Sequence, residues 1–209
     1  MTFSKADFET LERFYKINLI NSSSGFKSAN LIGTSSKTGQ QNVAVFSSVT
    51  HIGSNPPLLG FFCRPTTVIR HTYNNIKETG IYTINHIHKS IIEDAHHTSA
   101  AYNENTSEFD MTGLKSEVKE NCIAPFVKDA PVQLEMKYVT EYPIKENGTI
   151  LVIGEIQHIH VNKDIIEKDG LINLSKADVA TIIGLDTYAL PKIEKRLDYQ
   201  RPKSINIEH

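Results

Sequence analysis

Two adjoining stretches decide the fold: NVAVFSSVT at residues 42–50 and NPPLLGFFC at residues 55–63. The first predicts a strand over 42–49, and the double proline that follows predicts a turn leading into extended backbone. The second predicts a strand over 58–63 that is apolar on both faces. Because only one face can fill a barrel interior, we expect the face with Leu59 and Phe61 to be covered by a helix or a second subunit.

Strand patterns continue on both sides of this region. We predict strands over 29–35, 81–87, 132–142 and 150–161, and the last two are joined by Asn147-Gly148, the strongest hairpin turn in the chain. The first three strands follow one another through turns only, which disfavours a doubly wound parallel sheet. Six mostly antiparallel strands with inserted helices favour a closed or nearly closed β-barrel.

Helices are predicted between and outside the strands. They span about 4–21, 64–78, 89–102 and 175–178. Residues 103–129 have no clear period, and loops of this length are usually functional or contact a partner. The organisation we expect is a single domain over 1–209, with an N-terminal helix and a C-terminal extension.

Composition and charge argue against several function classes. The chain has 209 residues, with 22 Lys plus Arg against 24 Asp plus Glu, and this net charge of −2 argues against a basic nucleic-acid surface. No apolar run approaches the ~18 residues of a membrane span, and the first residues lack a signal-peptide core. Cys63 and Cys122 have no ligand spacing and are interpreted as free thiols in a reducing compartment. We therefore expect a cytoplasmic protein that binds neither nucleic acid nor a membrane.

Small hydroxyl side chains end the first of the two deciding strands. The candidate ligand contacts there are Ser47, Ser48, Val49, Thr50 and His51. Small residues let a flat ligand approach the backbone closely, and free N–H groups at a strand end can meet the ring acceptors of a heterocycle. The stretch therefore predicts a slot for a flat ring. A serine-rich strand end with ordinary turn chemistry is the alternative interpretation.

A second polar group follows about fifteen residues later, at the start of the helix predicted over 64–78. It comprises Arg64, Thr66, Thr67, Arg70 and Thr72. A helix N-terminus binds phosphate through its unsatisfied N–H groups, and arginine adds charge-assisted hydrogen bonds. A phosphate anchor beside a flat-ring slot is what a mononucleotide cofactor needs. Surface ion pairing of the two arginines with Glu78 or Glu93 is the alternative interpretation.

Together these segments resemble the flavin reductase-like family, whose fold is the FMN-binding split barrel. The matching stretches, within roughly residues 26–190, are 42–50, 55–58, 64–67, 72–76, 82–85, 131–136, 151–156 and 184–188. The resemblance implies a mainly β fold with inserted helices, built as a six-stranded antiparallel Greek-key split β-barrel. It also implies a homodimer with FMN at the interface, residues 47–50 flanking the isoalloxazine ring, and Arg64 and the following hydroxyls reaching the phosphate.

The function that the resemblance implies is that of an oxidoreductase. A flavin reductase of this type moves electrons from NADH or NADPH through FMN, with a monooxygenase or another electron acceptor as partner. One stretch departs from the family: many members carry a Gly-Asp-His type motif before the last barrel strand, where this chain reads Glu146-Asn147-Gly148-Thr149. The missing histidine favours the alternative of an FMN-binding electron carrier, like flavoredoxin, without NAD(P)H turnover of its own. A split-barrel protein that binds haem or another ligand is a third alternative.

No side chain is assigned a catalytic role or a metal. The nine histidines include the close pairs His86/His88 and His158/His160, but no carboxylate or cysteine completes a ligand set at recognisable spacing. His51 and His86 each lie beside a predicted cofactor segment and could hydrogen-bond a reduced flavin. The flavin would carry the redox chemistry, while the protein supplies a slot and a phosphate anchor.

Overall fold

The computed structural model describes residues 1–103, 105–119 and 121–202. Its helices are α1 (Asp7–Thr10), α2 (Arg13–Ser22), α3 (His71–Thr79), α4 (Ile92–His97) and α5 (Glu108–Met111), with 3₁₀ turns at Lys89–Ile91 and Lys163–Ile165. Its strands are β1 (Lys27–Ser28), β2 (Asn30–Ser35), β3 (Gln41–Phe46), β4 (Thr50–Ser54), β5 (Pro57–Cys63), β6 (Ile81–His86), β7 (Ser116–Glu117), β8 (Phe126–Val127), β9 (Val132–Ile144), β10 (Thr149–Val161), β11 (Thr181–Ile183) and β12 (Thr187–Ala189). In these described ranges, none of the helices combines the length and the apolar character that crossing a membrane requires.

Seven strands form one antiparallel sheet in the order β3-β2-β6-β9-β10-β5-β4. Six of them are the strands predicted from sequence, so the mainly β fold with inserted helices is confirmed. The seventh, β4, lies where we predicted the end of a strand and a turn. It was missed because Thr50–Ser54 is almost entirely exposed and has no alternation of apolar and polar residues. It pairs with β5 as a hairpin, with Ser54 opposite Pro57.

The sheet curls around one apolar cluster, so that strands far apart in the hydrogen-bonded order meet inside it. The ring of Phe46 on β3 lies 5.0 Å from that of Phe61 on β5, and Phe61 lies 5.8 Å from Tyr82 on β6. Ile76 of α3 is fully buried in the same cluster, and Ile165 packs on it from the segment after β10. Helix and loop insertions thus complete a core that the strands alone leave open.

The irregular segment between α4 and β9 is held on the outer face of the sheet by buried polar side chains. Thr83 Oγ1 donates to the Pro125 carbonyl at 2.6 Å, and Asn85 Oδ1 accepts from the Val127 N–H at 3.0 Å. Gln133 Nε2 donates to the Val127 carbonyl at 2.7 Å. The prediction of a long loop over 103–129 is confirmed for the described residues of that range, apart from the short elements α5, β7 and β8, and these hydrogen bonds hold its last part.

Two of the predicted helices have different boundaries in the structure. The first helix is broken in two, because Leu11 is extended (φ −62°, ψ 143°) and the Glu12 carboxylate caps a new start by accepting from the N–H groups of Phe14 and Tyr15. The predicted helix over 89–102 ends at His97. These boundaries depend on side chains that hydrogen-bond nearby backbone N–H groups and so compete with the helical hydrogen bonds. The spacing of apolar residues does not reveal such bonds.

Two further helix predictions are wrong, one of them at the candidate phosphate anchor. The helix predicted from Arg64 begins only at His71, and residues 64–70 form a loop in which Arg70 is still extended (φ −124°, ψ 92°). Residues 175–178 form a turn rather than a helix, and Asp178 adopts φ +48° there. The arginine and threonine side chains of the 64–70 loop therefore do not stand on a helix N-terminus.

The assignment of the two faces of β5 is also wrong. Phe61 is 1% exposed and belongs to the central apolar cluster, whereas its neighbour Phe62 is 40% exposed on the outer face. Alternation along the strand was predicted correctly, but which face turns inward depends on the direction in which the sheet curls. An interface on this strand would therefore involve Phe62.

Candidate functional site

One serine joins the predicted ring slot to β5. Ser48 Oγ accepts from the Phe62 N–H at 3.0 Å, and the same hydroxyl lies 3.3 Å from the Phe62 carbonyl, to which it donates. Ser48 lies in the irregular step between β3 and β4, where its side chain takes the place of the ladder hydrogen bonds of a regular strand. Residues 47–49 therefore lie alongside the end of β5, just before Arg64.

Some of the other residues in this segment have polar groups that are already hydrogen-bonded, and others do not. The Val49 carbonyl accepts from Ser28 Oγ at 2.8 Å, and the exposed His51 Nε2 is hydrogen-bonded to Ser54 Oγ at 3.1 Å. Within the described part of the chain, the hydroxyls of Ser47 and Thr50 have no hydrogen-bond partner, so both are available to a ligand.

The loop between β5 and α3 presents an uncompensated cation. Arg64, Thr66 and Thr67 are exposed, and among the described residues none of the three side chains has a hydrogen-bond or ion-pair partner. Glu78 instead faces Lys37, whose Nζ lies 3.8 Å from its carboxylate. Ion pairing of Arg64 is therefore absent in the described chain, and a free guanidinium beside two free hydroxyls suits a phosphate.

This loop is held from two sides. Arg70 Nε donates to the Pro65 carbonyl at 3.2 Å, which folds the loop back on itself. Pro65 also lies against the β9–β10 turn, since a Cβ on Gly148 would be 3.6 Å from the proline Cβ and Cγ. Gly148 has φ +72°, the left-handed conformation that the Asn147-Gly148 turn requires. The stretch 146–149, which lacks the histidine of the family that the sequence resembles, thus lies beside the candidate phosphate loop, a proximity that the sequence did not indicate.

Thr72 differs from the other predicted site residues. It is buried, and its hydroxyl accepts from Asn42 Nδ2 at 3.0 Å in a network that also contains Thr34. Asn42 lies near the start of β3 and Ser47 just beyond its end, about 16 Å apart at the rise of a strand. The structure places Ser48 beside Phe62, two residues before Arg64, whereas His51 lies opposite Leu59, further from Arg64 along β5, and Thr72 lies at the opposite end of β3.

A polar cluster that the sequence analysis missed links α3 to strand β9 of the β9–β10 hairpin. Tyr73 Oη donates to Glu141 Oε1 at 2.9 Å, and Lys77 Nζ lies 3.2 Å from Glu141 Oε2 and donates to Tyr138 Oη at 2.9 Å. Burial, followed by the bond to Glu141, raises the pKa of Tyr73, and the bond to Tyr138 raises the pKa of Lys77. At the end of β5, burial raises the pKa of the Cys63 thiol, which favours its protonated and unreactive form.

Two cavities of the single chain lie elsewhere. One, of about 230 Å³, is polar and is lined by the outer side of α3, Asn42 and the buried Glu108. The other, of about 530 Å³, is an open cleft that includes His88, Asp129 and His160. The lining of neither cavity includes residues 47–51 or 64–67.

The histidines form no metal centre in the described ranges, where no group of three or more His, Cys, Asp or Glu side chains could hold a metal ion. His158 Nδ1 instead lies 2.8 Å from Glu135 Oε2. Burial lowers the pKa of His86 to about 4, so its imidazole is neutral near pH 7.

Comparison with known proteins assigns these features to one family. The family model of the flavin reductase like domain matches residues 23–177. A crystal structure of a candidate flavin reductase with a split barrel domain, from Shewanella frigidimarina, is 46% identical, with 96% of this chain and 100% of that chain covered at a TM-score of 0.92.

Two further solved structures share the fold at lower identity. Nitrilotriacetate monooxygenase component B from Bacillus cereus is 21% identical, with 94% of this chain and 98% of that chain covered at a TM-score of 0.81. Flavoredoxin of Desulfovibrio vulgaris is 24% identical, with 84% and 91% covered at a TM-score of 0.69.

Proposed function

Because the chain belongs to the family of the flavin reductase like domain, we propose that it binds FMN and moves electrons from NADH or NADPH through it to an acceptor. In this proposal the protein is an enzyme, a flavin reductase, that works in the cytoplasm. Its acceptor is a monooxygenase or another electron-accepting protein. The neighbours that share its fold include a monooxygenase component and a flavoredoxin, and these names motivate both this function and its alternative.

The observation that carries the proposal is the junction between Ser48 and Phe62. This pair of hydrogen bonds brings a stretch with free hydroxyls alongside the strand that leads into Arg64. A flat ring and a phosphate on one small molecule need this arrangement, with small side chains at one end and a free cation at the other. The residues present therefore fit FMN.

Each part of the chain then has a defined task. Ser47, Thr50 and the backbone of the β3–β4 step would hydrogen-bond the ring, and His51 would lie at its edge. Arg64, with Thr66 and Thr67, would bind the phosphate, while Arg70 shapes the loop through its bond to Pro65. The bound flavin supplies the electron transfer, so no nucleophilic side chain is required. Thr72 is the weakest member of the predicted set, because its hydroxyl is already used in the interior.

The working unit in this proposal is a homodimer that shares the cofactor between chains. Its support is an apolar surface, here called the sheet patch, formed by Ile52, Phe62, Tyr142 and Leu151. The first three are 42%, 40% and 57% exposed, and Phe62, Leu151 and Tyr142 lie side by side across β5, β10 and β9. Exposed apolar patches commonly mark interfaces, and this one adjoins Ser48.

A finer description of the fold also belongs to the proposal. The six predicted strands would form the Greek-key split barrel, with β4 as an additional strand at one edge. Its support is that rings on β3 and β5, the first and sixth strands in the sheet order, lie 5.0 Å apart.

The first experiment is to purify the protein, denature it, and identify any released chromophore. FMN in stoichiometric amount supports the proposal, whereas haem or a colourless, FMN-indifferent protein contradicts it. Anaerobic addition of NADH or NADPH to the yellow protein should then bleach the flavin's visible absorption within the time of enzymatic turnover.

The second candidate is an FMN-binding electron carrier without turnover of its own. The absence of a histidine in Glu146–Thr149, beside the candidate phosphate loop, favours it. A carrier would stay oxidised with either nicotinamide and would be reduced by a separate reductase or by dithionite. The bleaching experiment therefore separates the two candidates.

A further inference from the structure

The first 26 residues form an arm that leaves several of its apolar side chains exposed on the protomer. No residue of the arm is buried, and neither α1 nor α2 contains a buried position. Phe14 is 67% exposed, Tyr15 49%, Ile20 47% and Phe26 65%. Because a helix as short as α2, with ten residues, is marginal in water without tertiary packing, cover of its exposed apolar side chains by a second chain would stabilise the arm.

The C-terminal end of the arm lies beside the predicted ring slot, residues 47–51. Ser28 Oγ donates to the Val49 carbonyl at 2.8 Å, and Lys27 Nζ donates to the Gly184 carbonyl at 2.9 Å. Val49 directly precedes β4, the strand that carries Ile52 of the sheet patch. The arm therefore leaves the body of the protein next to the candidate slot and the edge of that patch.

The sheet patch is a continuous apolar surface. Gly60 forms its floor: a Cβ there would lie 3.1 Å from Leu151 Cδ1 and 3.2 Å from Ile52 Cδ1, so these side chains converge over the glycine. Phe62 and Tyr142 flank them in the row across β5, β10 and β9. The result is a continuous apolar surface in which Leu151 and Ile52 cover Gly60.

We propose that the arm of each protomer docks on the sheet patch of a second copy of this chain and closes over the neighbouring flavin slot. This rests on the homodimer of the proposed function. The exposed parts of the four arm residues and of Ile52, Phe62 and Tyr142 amount to about 700 Å² of side-chain surface per chain, against roughly 800 Å² per partner in a standard interface. In a two-fold dimer each copy supplies one arm and one patch, so both surfaces are covered at once.

The test uses the full-length chain with two charges placed in the arm. Phe14→Asp combined with Ile20→Asp should raise the dimer dissociation constant at least about a hundredfold in sedimentation experiments, because a two-fold interface loses each side chain twice. The protomer should stay folded, since neither side chain is buried in it. Val118→Asp is the matched control: Val118 is 68% exposed but follows Glu117, which accepts from Gln133 Nε2 near the start of β9 and far along that strand from Tyr142 of the patch, so this variant should remain a dimer.

Hydrogen exchange gives a second, independent readout. The amides of α2 should be protected at concentrations where the wild type is a dimer and exchange rapidly where it is diluted to monomer. The arm variant should also release FMN faster than the control. An arm variant with wild-type dimer affinity, or α2 protection that persists in the monomer, overturns the proposal.

The outcomes also separate this inference from the proposed function. A wild-type dimer that binds FMN while the arm variant dimerises normally removes only the arm's role. A wild type that is monomeric at all concentrations and still binds FMN removes the shared site, and the docking of the arm with it. Sedimentation decides the arm's role even if the flavin chemistry is wrong, because it requires no cofactor.

Discussion

Phe61 and Phe62 are neighbours on β5 with opposite environments, and truncating each in turn tests which face of the strand is the core. Phe61→Ala removes a ring that is 1% exposed and packs edge-on against Phe46 and Tyr82. Removing a buried phenylalanine costs about 3–5 kcal/mol, since transfer free energy is lost and a cavity remains. Phe62→Ala removes a ring that is 40% exposed, and the expected loss to the protomer's own fold is about 1 kcal/mol.

Urea unfolding at low protein concentration measures the difference. With a denaturant slope of about 2 kcal/mol per molar, Phe61→Ala should lower the midpoint by about 1.5–2.5 M and Phe62→Ala by about 0.5 M. Low concentration matters because dimerisation adds its own stabilisation by mass action. Sedimentation then completes the pattern: Phe62→Ala should weaken the dimer, while the folded fraction of Phe61→Ala should dimerise normally.

The reverse pattern would refute the reasoning. If Phe62→Ala lowered the midpoint as much as Phe61→Ala, the outer face of β5 would be part of the protomer's core. If Phe61→Ala dissociated the dimer without loss of stability, Phe61 would face the interface, as the sequence alone suggested.

Four further predictions concern the phosphate loop, the ring slot, the core and the pH dependence of stability. Arg64→Ala should weaken FMN binding about tenfold to a hundredfold and leave riboflavin binding unchanged, as measured by quenching of flavin fluorescence; equal losses for both ligands contradict the anchor. Ser48→Leu should give folded but colourless protein by circular dichroism and absorbance, whereas Ser48→Ala should stay yellow. Gly154→Ala should destabilise by several kcal/mol in urea because the added methyl group would strike the Tyr82 hydroxyl, and a second change, Tyr82→Phe, should recover part of the loss. Burial lowers the pKa of His86 from 6.5 to about 4, so its contribution is fully present above pH 6.5 and falls by about 3 kcal/mol as the pH drops toward 4; urea midpoints of His86→Asn should be flatter across this range, and an unchanged pH profile would contradict the assignment.

The strands could be predicted from sequence where their pattern is set by burial on one or both faces. The alternation in 132–142 and the apolar run at 58–63 both report local contact with the core, and both strands are present. β4 could not be predicted this way, because a strand that is exposed along its length carries no such pattern. The helix start at Arg64 was wrong because threonine hydroxyls near a proline suit a loop as well as a cap.

By itself the sequence determined the six core strands, the Asn147-Gly148 hairpin, and the two polar groups at the end of β3 and after β5 that resemble a flavin site. Only the tertiary structure decided how these parts meet. The bonds from Ser48 to Phe62 and the inward turn of Phe61 depend on the curl of the sheet, and the buried hydroxyl of Thr72 depends on how α3 packs on β3. Both faces of β5 are apolar, so hydrophobicity along the chain does not distinguish them; contacts between residues far apart in sequence do.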